Sequence, residues 1–143
     1  MRYQYTSQGF RGYSNNISFK TPEGTKVLLL LNIFIFILVE LSGLRFLIFN
    51  IFGLVPYLTW NSFHIWQPIT YLFLHNGPMH IFLNMIVLWM FGRELEYELG
   101  KQKFIKFYLY TGIGSGIFTV LFTYNSTIPV VGASPGRESR RAH

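Results

Sequence analysis

Residues 76–100 read NGPMHIFLNMIVLWMFGRELEYELG, and this stretch decides the fold. Asn76-Gly77-Pro78 is a helix-start signal, with Pro78 suited to the first helical position because it has no N–H to leave unpaired. From Pro78 to Glu96 the chain is apolar apart from His80, Asn84 and the closing Arg93, Glu94 and Glu96, and its 19 residues make roughly 28 Å of helix. That is close to the thickness of a bilayer's hydrocarbon core, so a membrane span is expected. A charged cluster closes it: Arg93, Glu94, Glu96, Glu98, Lys101, Lys103 and Lys106.

Two further apolar blocks flank this one. On the C-terminal side, a helix is expected from about Phe104 to Tyr124, 21 residues or roughly 31 Å. Its Gly112 and Gly116, four apart with Gly114 and Ser115 between, let another helix approach closely. On the N-terminal side, Val27 to Val39 extends to Leu44 if Glu40 lies at headgroup level, giving roughly 27 Å. The preceding tail is long for a signal peptide and no small-x-small cleavage site follows, so an anchored span is preferred. Between the blocks, residues 45–77 stay aromatic but are broken by Gly53, Pro56 and Pro68. This segment is expected as a half-submerged loop at the interface, with Tyr57, Trp60, Trp66 and Tyr71 at headgroup depth.

Composition agrees. Half of the 143 residues are hydrophobic, 13% are charged, and there is no cysteine. Soluble domains carry about 25% charged residues. Disordered segments, coiled coils and disulfide-stapled modules need charge, heptads or cysteines, and are excluded. The net charge of +6 does not indicate nucleic acid, because the Lys and Arg side chains flank apolar blocks and form no stripe among stacking aromatics. Arg2, Arg11, Lys20 and Lys26 lie before the first block, and Arg93, Lys101, Lys103 and Lys106 around the second loop, while the aromatic loop has only Arg45. By the positive-inside rule, the N-terminus and second loop are expected to be cytoplasmic and the aromatic loop outside.

Two features carry candidate chemistry. His80 and Asn84 are one turn apart on one face of the central helix. Polar side chains within a span are either functional or glue between helices, and position alone leaves both open. The second feature is Val130-Val131-Gly132-Ala133-Ser134-Pro135-Gly136. Ser134, after two small residues, suits an uncrowded nucleophile, and an exposed Gly/Ser/Pro turn is the alternative. The segment also matches G-x-S-x-G, but the strand-fed soluble sheet which that motif requires is absent.

Trp66-Gln67-Pro68-Ile69-Thr70-Tyr71-Leu72-Phe73-Leu74-His75, Met79-His80-Ile81-Phe82-Leu83-Asn84-Met85, Phe91-Gly92-Arg93-Glu94-Leu95-Glu96 and Val131-Gly132-Ala133-Ser134 follow one another in this order. Together they resemble the rhomboid family of intramembrane serine proteases, over about residues 27–134. The resemblance implies an all-α, polytopic helical bundle: the first three spans of a six-span fold that cuts transmembrane segments of other membrane proteins near the outer face. It implies Ser134 as nucleophile at the top of a fourth helix, with His80 and Asn84 in the oxyanion hole and Gly132 and Ala133 leaving room for substrate. Donors fixed on a developing oxyanion are typically worth a few kcal/mol each. A plasma membrane is implied, with lipid and transmembrane substrates as partners; no cofactor, metal or nucleic acid is expected.

Some positions depart from the family pattern. Gln67 stands where Arg commonly follows the loop tryptophan, and Pro135 where glycine usually follows the serine. The family's general base is a histidine on a sixth helix, and neither His64, His75, His80 nor His143 sits in such a position. Arg137, Arg140 and Arg141 fall on the expected outer side, against the charge rule. Residues 135–143 are therefore expected to be an atypical polar tail, left by a frameshift or premature end, after a basic tail at 1–26 and a partial rhomboid-like domain at 27–134. Three readings follow: a serine endopeptidase that is inactive without its base, a non-catalytic protein that binds transmembrane helices or a partner subunit, and a generic three-span protein with accidental motifs.

Overall fold

Pro22, in extended conformation, leads into the first helix four residues before the apolar block begins. The computed structural model describes residues 20–131 and the main chain of residues 134 and 135. Helix α1 spans Glu23–Ser42. No side chain of its own segment caps its first turn. The cap comes from Glu96, whose carboxylate accepts hydrogen bonds from the Gly24 N–H (2.7 Å), the Thr25 N–H (2.6 Å) and the Thr25 hydroxyl (2.8 Å). Glu96, Gly24 and Thr25 are all buried.

The aromatic segment is more regular than a loop. It forms α2 (Arg45–Phe52), α3 (Pro56–Asn61) and α4 (Gln67–Thr70), the last running into a 3-10 turn at Tyr71–Phe73. The prolines that break a spanning pattern here start short helices: Pro56 is the first residue of α3 and Pro68 the second of α4. At those positions the missing N–H costs no intrahelical bond. Side chains of α4 and its N-cap then satisfy the carbonyls at the end of α2. Trp66 Nε1 donates to Ile51 O (2.9 Å), Thr70 Oγ1 to Phe52 O (2.6 Å), and the Gln67 amide faces Asn50 O and Ile51 O. Gln67 is fully buried, and its Oε1 accepts from the Val55 N–H (3.0 Å) and the Thr59 hydroxyl (2.8 Å).

Two long helices follow, α5 (Pro78–Leu99) and α6 (Lys101–Phe122), hinged at Gly100. Helices α1 and α6 are long and apolar enough to cross a bilayer. Helix α5 matches them in length but carries Arg93, Glu94, Glu96 and Glu98 in its last turns, so two of the three expected spans meet both criteria. Large apolar side chains point outward from all three, among them Phe34, Leu41, Phe82, Phe91, Phe118 and Phe122. This arrangement suits lipid. Helix α1 packs on α5, and α5 on α6. At one end of the bundle, Lys101 pairs with Glu23 (2.8 Å) and the Tyr97 hydroxyl donates to Lys20 O (2.7 Å). The start of α1, the end of α5 and the start of α6 therefore meet there.

The small-residue face of α6, where the sequence suggested the close approach of another helix, receives the 3-10 turn. Leu72 lies where a Cβ on Gly112 would be, and a Cβ on Gly116 would come within 2.8 Å of the Tyr71 ring. The bare backbone also lets the Tyr71 hydroxyl donate to Gly112 O at 2.7 Å. After α6 the chain turns back over the loop, with Leu54 and Val130 exchanging both backbone hydrogen bonds (3.0 and 2.7 Å). Strand β1 (Val130–Val131) then pairs antiparallel with β2 (Ser134–Pro135).

Two sets of substitutions test these contacts by thermal unfolding in detergent. Gly112→Ala and Gly116→Ala should each cost about 1–3 kcal/mol through overpacking, while Gly114→Ala, with open space around it, should be neutral or slightly stabilising. Glu96→Gln places an NH2 group among three donors and should cost about 1–3 kcal/mol; Thr25→Val, which removes a single hydroxyl donor, should cost less.

Candidate active site

The site begins where α5 does. Gly77 takes φ 125° and ψ 171°, a conformation that side-chain-bearing residues rarely adopt, and Pro78 follows as the first helical residue. The turn aims the Asn76 N–H back at the third helical residue, His80, whose Nδ1 accepts it at 3.2 Å. A Glu or Gln at that position reaches back in a similar way in a capping box, there to the N–H of the N-cap residue itself, one residue later than Asn76. Because a backbone N–H can only donate, Nδ1 holds a lone pair, and the neutral ring must carry its proton on Nε2. His80 is thus fixed as an N–H donor.

Asn84 lies one turn further along the same face and lines a cavity of about 380 Å³ between α5, α6 and the 3-10 turn. Most of the wall is apolar, including Leu88, Phe91 and Phe104; the polar exceptions are His75, Asn84, Thr111, Ser115 and the hydroxyls of Tyr71 and Tyr108. His75 is the residue that sequence reasoning did not single out. Its buried ring sits 5.5 Å from that of His80, centroid to centroid, and its Nδ1 is 3.3 Å from Phe73 O. A carbonyl only accepts, so this contact puts the His75 proton on Nδ1. Burial first, and the neighbouring His80 second, lower the His75 pKa to about 4. The ring is therefore neutral at pH 7. A second histidine five residues before His80 was the available signal, and its depth below the loop is a tertiary property.

Ser134 lies in β2, opposite Val131. The family resemblance places it at the top of a helix whose residues lie outside the described ones; the backbone of Ser134 itself is extended, in keeping with Pro135, since the residue before a proline is disfavoured in the helical region. Val131 is buried in a cluster with Val39 and Leu74, and Leu74 adjoins His75. The main chain of Ser134 is thus at the same end of the bundle as His75 and His80. Gly132 and Ala133, expected along the substrate's approach, and residues 136–143 lie outside the described residues. Among the described residues, no three His, Asp or Glu side chains converge as a metal site would require.

This arrangement can be set against known proteins. The family model described as the rhomboid domain matches residues 62–137. RHOMBOID-like protein 6, mitochondrial, of Arabidopsis thaliana is 38% identical over 69 residues, which is 48% of this chain and 22% of that protein. The Rhomboid protease GluP of Bacillus subtilis is 35% identical over 69 residues, 48% of this chain and 13% of the relative. The Inactive RHOMBOID-like protein 8 of Arabidopsis thaliana is 32% identical over 72 residues, covering 48% and 20%. The matched segment thus spans less than a quarter of each of these relatives. The family match takes in more than half of the chain, from the end of α3 through β2, and on that ground the chain belongs to the rhomboid family.

Proposed function

We propose that this chain carries the oxyanion-binding part of a rhomboid-type intramembrane serine endopeptidase, acting on transmembrane segments of other membrane proteins. The observation that carries the reading is the Asn76 N–H on His80 Nδ1, which leaves Nε2–H as a fixed donor one turn from Asn84. Acyl transfer from a peptide to a serine oxygen develops negative charge on the carbonyl oxygen, and donors that need no reorganisation stabilise it strongly. In this reading Ser134 is the nucleophile, and Gly132 and Ala133 leave space for the substrate backbone. The chain is integral to the membrane. We assign its N-terminus to the cytoplasm and the membrane to the plasma membrane, from the distribution of Lys and Arg and from family resemblance.

A serine hydroxyl needs a base. Among the described histidines, His80 is a donor and His64 stacks on Trp66 at 4.7 Å. His75, with its pKa lowered to about 4, is too weak a base at neutral pH. We therefore assign the base to none of the three. The existence of a relative named inactive supports a second reading, a non-catalytic rhomboid-like protein that binds transmembrane helices or a partner subunit.

Fluorophosphonate labelling of the membrane-embedded chain separates these. The wild-type chain should label only faintly, since loss of a serine's base typically costs several orders of magnitude. Strong labelling that disappears in Ser134→Ala and falls in His80→Ala would show a complete site and overturn the assignment of no base. Equal labelling of wild type and Ser134→Ala would favour the binding protein.

His75 also predicts a pH dependence. Its folded pKa of about 4 lies below the usual 6.5, so between these values the unfolded chain binds the proton more readily. Stability associated with the neutral ring is present in full above about pH 6.5 and is lost as the pH falls toward 4. Thermal midpoints measured from pH 7 to pH 4.5 should fall more steeply for wild type than for His75→Phe.

A further inference from the structure

Arg45 is the only Lys or Arg between residues 27 and 92, and its guanidinium is held at three points. Nη1 donates to Glu40 Oε1 at 2.9 Å, Nη2 donates to Asn76 Oδ1 at 2.8 Å, and Cζ lies 5.2 Å from the centroid of the Phe49 ring. Asn76 is the residue whose backbone N–H occupies Nδ1 of His80. The contacts form a chain, Glu40 to Arg45 to Asn76 to His80, that joins the end of α1, the start of α2 and the start of α5.

The link matters because of what adjoins it. Asn76 is exposed and precedes Gly77, a residue with no side chain to restrict rotation about its φ. Left to itself, the peptide around Asn76 can swing, taking its N–H away from the imidazole. The Arg45 fork grips the Asn76 side chain from α2 and is itself aligned by Glu40. Asn76 is thus held at both its side chain and its main chain, and its N–H stays directed at His80.

We propose that Arg45 is a positioning residue for His80: by anchoring Asn76 it keeps Nδ1 occupied and the donor proton on Nε2. The geometric claim stands on the contacts above; its catalytic meaning rests on the reading of His80 as an oxyanion donor.

The test uses nitrogen-15-labelled full chain in bicelles, observing amide exchange by NMR together with the ring nitrogens of His80. In Arg45→Met, exchange at the Asn76 amide should accelerate roughly tenfold, as expected for loss of one hydrogen bond. The His80 Nδ1 resonance should move away from its hydrogen-bonded position. The Ile81 amide, bonded to Gly77 O at 3.1 Å, and the Ile48 amide, bonded to Leu44 O at 2.9 Å, should keep their wild-type exchange. Asn76→Ala removes the group that Arg45 grips but retains the backbone N–H, and should reproduce both changes; it decides the question if Arg45→Met does not fold. Arg45→Lys, which keeps the charge but loses the planar fork and some of the reach, should fall between. Unchanged Asn76 exchange and His80 resonance in the variants would overturn the proposal, and so would acceleration spread equally over Ile81 and Ile48, which marks a general structural role. No readout requires turnover, so the result is independent of whether Ser134 is a nucleophile.

Discussion

A helix that ends at or below headgroup level has free N–H and C=O groups and little water to satisfy them, and each one left bare costs several kcal/mol. Much of the tertiary structure here answers that constraint. Glu96 closes the first turn of α1 from the far end of α5. Trp66, Gln67 and Thr70 close the last turn of α2 from α4. The bonds that finish one helix also fix its distance from another, so satisfying the backbone and assembling the bundle are one process. This is economical in lipid, where apolar burial between helices gives little drive.

The candidate active site is a by-product of the same rule. His80 is placed where a capping residue belongs, three positions into α5, and it accepts the N–H that the Gly77 turn presents. Capping alone would be served by any acceptor. An imidazole does more, because engaging one nitrogen as acceptor determines the proton on the other. The backbone of the turn therefore sets the chemical state of a side chain at the start of α5. His75 beside it is kept neutral by burial, so the two rings at 5.5 Å do not repel as two cations would.

Local features of this architecture were legible in the sequence and non-local ones were not. Pro78 announced the start of α5, the apolar blocks located the three long helices, and Gly112 and Gly116 announced a close approach. What approaches them could not be read, since the partner is a 3-10 turn some forty residues earlier, joined by Tyr71. Glu96 read as one member of a charged cluster; its role lies with backbone groups 72 residues away, outside the reach of any periodicity. The aromatic loop read as broken because prolines end spans, whereas Pro56 and Pro68 sit where prolines begin helices. At the site, the ordering of His80, Asn84 and Ser134 was visible as motif, but the fixed proton on His80 depends on a backbone angle at Gly77.

Gln67 shows how a departure from family pattern can be self-consistent. Its carbonyl oxygen accepts from the Val55 N–H and the Thr59 hydroxyl, while its NH2 faces two carbonyls of α2. The position is fully buried and demands a donor and an acceptor in one side chain. A guanidinium offers five donors and no acceptor. Arginine here would leave the Val55 N–H and Thr59 hydroxyl without their acceptor and would bury a charge with no carboxylate among these partners, a combination that costs more than the bonds it could add. The neutral amide is thus the residue matched to this pairing of α2, α3 and α4, and the neighbouring Trp66 keeps its own bond to Ile51 O without it. The loop that seats Tyr71 against α6 is held by hydrogen bonds between neutral groups, and Arg45 is the sole Lys or Arg between residues 27 and 92.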